Sequence, residues 1–303
     1  MNDLGNTLGK GPRLIYGCMR IAGDRSAPAL EQGKRAVLFA YESGFRQFDH
    51  ADIYGHGACE SLFGEVLREI PGMREEIRIT SKCGIRRAGD PTAGDPGRYD
   101  FSREYILRSV RGSLQRLGTG YLDTLLLHRP DYLMNPEEVA AAFEELKQSG
   151  LVRSFGVSNF TPSQVSLLQH FCPFPLVSHQ LEINIHRTEA FRDGTLDQCM
   201  MLGMIPEAWS PLKGVAYPVK QEGFNEEGSQ RIFRVLQSQA DNYGKETWVI
   251  LLAWLLKHPS GIRPVIGTTQ PERIRRSLES LQMEYDRSDW YRLLEARNGF
   301  PVP

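Results

Sequence analysis

Four side chains in the first half of the sequence have the types and spacing that suit proton transfer. Asp49 and Tyr54 lie in FDHADIYG (48–55), Lys82 in ITSKCG (79–84) and His128 in LLLHRPD (125–131). A free phenol titrates near pH 10, about three units too high for ready proton exchange at neutral pH. An ammonium within a few ångströms favours the phenolate and lowers that value. A buried lysine would lose its charge unless a carboxylate stabilised it, and Asp49 is the residue able to do so. An imidazole at His128 would donate a hydrogen bond to a substrate carbonyl and orient it. Read singly, each residue has a plainer role: a strand-end aspartate caps a turn, a loop tyrosine packs, a strand-end lysine reaches solvent. As a set they read as a general acid beside an oxygen that gains negative charge.

That set works only if the chain brings three separate segments to one place. Short apolar runs at 13–17, 45–49, 77–82, 122–128, 152–158, 176–182, 204–210 and 262–267 read as strands. Helical patterns lie between and after them, near 28–43, 59–69, 102–117, 136–149, 161–170, 192–202, 246–258 and 271–281. LDTLLLH (122–128) is almost continuously apolar, as expected of a strand covered on both faces. Ser102, Asn135 before Pro136, and Thr161 before Pro162 read as helix caps. Eight strand–helix units indicate a parallel α/β protein. No G-x-G-x-x-G follows the first strand, so the fingerprint of an open dinucleotide-binding sheet is missing. The pattern therefore predicts one closed (β/α)8 TIM barrel of eight parallel strands, a single domain over residues 1–303. In such a barrel Asp49, Tyr54, Lys82 and His128 converge on the mouth formed by the strand C-termini. Two stretches read as irregular, 84–101 and 213–230, and both follow strands, which places them at that mouth.

The three segments already quoted, together with GVSNF (156–160), HQLEIN (179–184), WSPLKG (209–214) and PVIGTTQPERIRRSLE (264–279), resemble the signature segments of the aldo-keto reductase superfamily. The resemblance runs over nearly the whole chain. It implies a nicotinamide cofactor lying across the barrel mouth and reduction of an aldehyde or ketone to an alcohol by hydride transfer. It also implies that Asp49, Tyr54, Lys82 and His128 are the catalytic tetrad, with Tyr54 as general acid. By the same resemblance Ser158, Asn159 and Gln180 hold the nicotinamide carboxamide, and Asp49, Gly17 and Cys18 meet the cofactor. Ser210, Pro211 and Leu212 cradle the pyrophosphate, and Arg273 faces the adenosine 2′-phosphate. Trp209 stands where the family commonly has a tyrosine on which the nicotinamide stacks, and an indole stacks at least as well. Relatives often carry a lysine or arginine where this chain has Gly267, Thr268 or Thr269. The hydroxyls of Thr268 and Thr269 would still bind phosphate, so the expected cofactor is NADPH, preferred over NADH less sharply than in those relatives.

Composition limits the alternatives. A net charge of −1 gives no long-range field to draw nucleic acid or an anionic membrane. Five cysteines, an odd number without a C-x-x-C pair, argue for a reducing compartment and against a disulfide framework or structural zinc. The first residues lack a signal-like apolar region, and WVILLAWLL (248–256) is too short to span a bilayer, so the expectation is a cytoplasmic protein without a metal. The expected partner is a small carbonyl compound. Arg20, Arg86, Arg87, Arg98 and Arg129 in the mouth segments would favour an anionic one. Three rival readings compete: a nucleotide-binding regulatory barrel like the potassium-channel β subunits, a metal-dependent hydrolase using His50, Asp52, His56, His128 and His179, and a Schiff-base aldolase acting through Lys82.

Overall fold

The computed structural model describes residues 11–214 and 226–302. Its eight main strands are β1 (Ile15–Gly17), β2 (Gln47–Asp49), β3 (Arg78–Cys83), β4 (Leu122–Leu127), β5 (Val152–Ser158), β6 (Ser178–Glu182), β7 (Ile205–Trp209) and β8 (Arg263–Ile266). They form a closed barrel in which each strand pairs in parallel with the next. Closure runs through β8 and β1, with Ile15 opposite Val265 and Tyr16 opposite Ile266. The Tyr16 hydroxyl donates to the Thr268 carbonyl at 3.0 Å and ties the last strand's exit loop to the first strand. Every residue of β4 is buried, as its apolar run requires of a strand with side chains on one face and helices on the other.

The helices start where their caps stand. Ser102, Asn135 and Thr161 each accept backbone N–H groups of the following turn, and Thr161 forms a reciprocal capping box with Gln164. Such caps contribute about 1 kcal/mol apiece. The helix expected over 192–202 is shorter, Thr195–Leu202, because Gly194 stands at its start with φ 85°. The one expected over 271–281 is α-helical only through Ser277 and tightens to a 3-10 turn over Leu278–Leu281.

Three features depart from the sequence reading. The stretch 84–101 contains a small antiparallel pair, Ile85–Arg86 against Arg98–Tyr99. The stretch 213–230, read as irregular, ends in helix Glu226–Tyr243, while residues 215–225 lie outside the described set. A C-terminal helix, Arg287–Asn298, was not expected. Both unforeseen helices are polar over most of their surface. Their stability comes from a narrow buried stripe (Ile232, Leu236 and Ala240 on one, Leu293 on the other) in the apolar cluster that holds Trp254. Trp254 and Trp290 stack at 5.2 Å, and each indole N–H donates to the other's carbonyl. The stripe Ile232, Leu236 and Ala240 has helical spacing, and tertiary packing of that face stabilises the helix. Among the described residues no helix is long and apolar enough to cross a membrane.

Gly156 shows how closely the site-bearing strands approach. It lies opposite Ser178 in the β5–β6 ladder, two residues before Ser158 and Gln180. A Cβ added there would sit 2.3 Å from the Ser178 carbonyl oxygen and 2.8 Å from Leu126. Gly156→Ala is therefore expected to destabilise the fold by about 1–3 kcal/mol, the usual cost of overpacking. Urea denaturation checks this, and an unchanged midpoint would contradict the close approach.

Candidate active site

At the C-terminal mouth, β2 and β3 run side by side with Asp49 and Thr80 in register. Asp49 ends β2, and Lys82 stands one residue before the end of β3. The Lys82 side chain has no solvent exposure. Its ammonium donates to Asp49 Oδ1 at 2.6 Å, to Asp49 Oδ2 at 2.7 Å, to the His50 carbonyl at 2.8 Å and to the Tyr54 hydroxyl at 3.2 Å. The loop between Asp49 and Tyr54 is clipped to β3, because His50 N–H donates to Thr80 O and Asp52 N–H to Lys82 O. Beyond Tyr54 the chain turns through three residues of positive φ, Gly55 (54°), His56 (59°) and Gly57 (86°), before helix Ala58–Glu69 begins. Two of the three are glycine, the residue that adopts this conformation without steric penalty.

Burial alone would pull the Lys82 pKa down, but the charge and hydrogen bonds of Asp49, with those of Tyr54, outweigh it and push the value above the ordinary one. The ammonium is retained. The Tyr54 phenol is shifted upward, not downward as the sequence suggested. Burial is the largest cause, and the Lys82 charge and hydrogen bond oppose it without overcoming it, with Asp49 adding to the rise. The phenol therefore holds its proton at neutral pH. His128 follows the last residue of β4, its N–H bonded to Cys83 O at 2.9 Å. Its ring stands edge-on to Tyr54, with centroids 6.0 Å apart. Burial first, then the charges of Lys82 and Arg129, lower the imidazole pKa to about 2, so the ring is neutral. Its Nδ1 is buried without a hydrogen-bond partner.

These groups open onto a cavity of about 1130 Å³. Gly17, Asp49, Tyr54, His128, Ser158, Asn159, Gln180, Trp209, Ser210, Pro211, Leu212, Thr268 and Arg273 all line it. Lys82 lies behind that wall. Two expected cofactor residues do not reach the cavity: Cys18 is fully buried with its thiol toward Tyr16 O, and Thr269 stands off the wall at 3.5 Å from Gln32 Nε2. Asn159 Nδ2 donates to Ser158 Oγ at 2.7 Å and His128 O at 3.2 Å, while Asn159 Oδ1 accepts from the Trp209 indole at 3.0 Å. One amide thus links the ends of β4, β5 and β7. Asn159 and Ser210 both have positive φ, 62° and 50°. Non-glycine residues in this region concentrate at functional sites, where their surroundings hold them.

Of the five mouth arginines, Arg86 pairs with Asp100 at 2.9 Å and Arg98 with Asp95 at 3.5 Å, and Arg87 donates to Ile53 O. Arg20 and Arg129 line the cavity, the Arg129 guanidinium lying 5.4 Å from the Trp209 ring centroid. The histidine–aspartate set considered for a metal does not converge: among the described residues no group of three or more His, Cys, Asp or Glu is placed to hold an ion. Sequence reasoning missed Glu207, which accepts from Gln180 Nε2 inside the barrel, and the start of helix Thr247–Leu256, where Glu246, Thr247 and Trp248 line the cavity with Arg276. The signal for Glu207 was an acidic residue within the buried strand IPEAW.

Residues 13–298 match the family model described as the aldo/keto reductase family. The chain belongs to that family. Among curated relatives, it is 43% identical to the oxidoreductase YdhF of Escherichia coli, with 86% of this chain and 85% of that one covered. It is 37% identical to a 6-dehydroglucose reductase of Novosphingobium aromaticivorans, over 96% of this chain and 93% of the other. Among solved structures, the thermostable aldo-keto reductase Tm1743 with the inhibitor epalrestat superposes with a TM-score of 0.82 at 27% identity, covering 97% of this chain and 98% of that one. This chain is accordingly an oxidoreductase of the aldo/keto reductase family on an eight-stranded barrel.

The buried ion pair generates a stability test. Asp49→Asn leaves the Lys82 ammonium without its counter-charge, and breaking such a pair costs about 3–5 kcal/mol. Asp49→Asn/Lys82→Met removes both charges and is expected to be more stable than Asp49→Asn alone. Urea denaturation of the wild type, Asp49→Asn, Lys82→Met and the double variant measures this, and a double variant that loses the sum of both single losses would contradict it.

Proposed function

We propose that this protein reduces an aldehyde or ketone to an alcohol with NADPH, Tyr54 acting as general acid. The observation that carries the reading is the Tyr54 hydroxyl, on the cavity wall, 3.2 Å from a lysine ammonium that Asp49 holds charged. A reduced nicotinamide bound in the cavity would supply the hydride. The neutral His128 ring donates a hydrogen bond that orients the substrate oxygen. As that oxygen gains negative charge it takes the Tyr54 proton, and Lys82 stabilises the phenolate left behind. Solvent protons restore the phenol.

The cavity suits a phosphorylated dinucleotide. Trp209 offers an indole face, and the first turn of helix Thr247–Leu256 lines the cavity, with the Glu246 carboxylate at its cap paired to Arg276. Arg273 has no ion-pair partner among the described residues. Its neighbours are taken: Glu272 pairs with Arg275 at 2.7 Å, and Glu279 pairs with Lys245 at 2.8 Å and Arg276 at 3.5 Å. Arg273 therefore remains available for the adenosine 2′-phosphate. The similarity to 6-dehydroglucose reductases adds sugar aldehydes to the candidate substrates. Arg129, beside His128, adds carboxylated ones.

Two tests follow from these roles. Tyr54→Phe keeps the ring and removes the proton, so carbonyl-dependent oxidation of NADPH should fall by about 10²–10⁴ with cofactor affinity nearly unchanged. More than half of wild-type turnover would remove Tyr54 as the acid. Wild type should bind NADPH about ten- to a hundredfold more tightly than NADH, from one charge-assisted phosphate contact. Arg273→Ala should abolish most of that preference in a binding titration, and full retention would remove the assignment.

A further inference from the structure

Glu207, inside the barrel and opposite Arg263 in the β7–β8 ladder, has no part in the tetrad or the cofactor contacts. Glu207 sits on β7 directly opposite Gln180 in the β6–β7 ladder, and both side chains point into the barrel. Gln180 Nε2 lies 2.9 Å from Glu207 Oε2 and 2.9 Å from Asp49 Oδ1. A primary amide nitrogen carries two protons, and a carboxylate only accepts. Both Gln180 protons are therefore committed to acids. The oxygen of the same amide, on a residue that lines the cavity, is the one polar atom Gln180 has left to offer.

We propose that Glu207 is a positioning residue: with Asp49 it fixes the Gln180 amide so that only its oxygen faces the cofactor, as an acceptor for a carboxamide N–H. This rests on the reading that a nicotinamide carboxamide binds at Gln180. With Asp49 alone, one amide proton would be unsatisfied inside the barrel, and the side chain would rotate to find a partner. Burial, with Asp49 nearby, pushes the Glu207 carboxyl above its ordinary range. In either protonation state one carboxyl oxygen still accepts, so the orientation of Gln180 is kept. Glu207 touches no reacting atom and acts through Gln180.

The test compares NADP⁺ with its 3-acetylpyridine analogue, in which a methyl ketone replaces the carboxamide and no N–H is present. Quenching of tryptophan fluorescence reads binding without turnover. One hydrogen bond predicts that the wild type favours NADP⁺ by about tenfold. In Glu207→Met that ratio should fall to below about twofold while affinity for the analogue is unchanged. Glu207→Gln, which keeps an acceptor oxygen, should retain most of the wild-type ratio. A Glu207→Met protein that still discriminates tenfold, or that loses both ligands equally, would overturn the proposal. Glu207→Met takes an acid from beside Arg263, so circular dichroism checks that it folds, and Glu207→Ala carries the same expectation if the methionine variant does not. Gln180→Met separates the two claims. If it abolishes discrimination and Glu207→Met does not, the positioning role alone fails. If the wild type does not discriminate, the carboxamide placement fails with it, and failure to bind NADP⁺ at all overturns the proposed function.

Discussion

The Lys82 ammonium has no contact with water, and the geometry of the mouth depends on the two oxygens of Asp49 that hold it charged. An isolated ammonium in that position would shed its proton rather than bear the cost of desolvation. Paired with Asp49, it becomes a fixed positive charge against the Tyr54 hydroxyl. The same Asp49 oxygen that accepts from Lys82 accepts from Gln180, so the acid–base cluster and the cavity wall share one anchor. Breaking the pair would disturb β2, β3 and β6 together.

A closed parallel barrel makes such an anchor possible because all eight strand ends emerge on one side. Asp49, Lys82, His128, Asn159, Gln180 and Trp209 lie on or just after six different strands, yet hydrogen bonds and ring contacts, through Tyr54, link them into one network. The irregular backbone is concentrated at this rim: the left-handed turn after Tyr54, Asn159 and Ser210. Each aims a side chain or backbone group where a regular strand would not. The rigid ladder below carries the strain, as expected where function is built on a scaffold.

Much of this was legible in the sequence. The strand runs are apolar and evenly spaced, and Asp49, Lys82 and His128 stand at or next to strand ends, so topology alone predicts their convergence. What was not legible depends on tertiary neighbours. Helices Glu226–Tyr243 and Arg287–Asn298 exist because narrow apolar stripes meet around Trp254, a contact that no local pattern announces. Glu207 gains its meaning only when β6 and β7 lie in register. Three of the five mouth arginines are occupied by nearby carboxylates or a carbonyl, and that Arg273 has no ion-pair partner among the described residues appears only once the acids around it are assigned. Cys18, adjacent to a cavity residue in sequence, opens the 3-10 turn Cys18–Arg20, where its buried thiol is directed to Tyr16 O instead of the cavity.

The sign of the Tyr54 shift is where the sequence reading and the structure diverge most. Burial raises the phenol, and Lys82 acts as a counterweight that limits the rise. In the proposed reaction Tyr54 must carry its proton, so the rate of reduction should be flat at neutral pH and fall as pH rises through the phenol's apparent pKa. Removing Lys82 removes the counterweight and destabilises the phenolate formed in the reaction. The pH dependence of kcat/KM for carbonyl reduction in the wild type and in Lys82→Met decides whether Lys82 tunes the phenol. Lys82→Met should show a lower plateau together with an alkaline limb displaced to higher pH, so the defect is largest at neutral pH. A variant that keeps the wild-type limb and differs only in amplitude would show that the buried Lys82–Asp49 pair does not set the acidity of Tyr54.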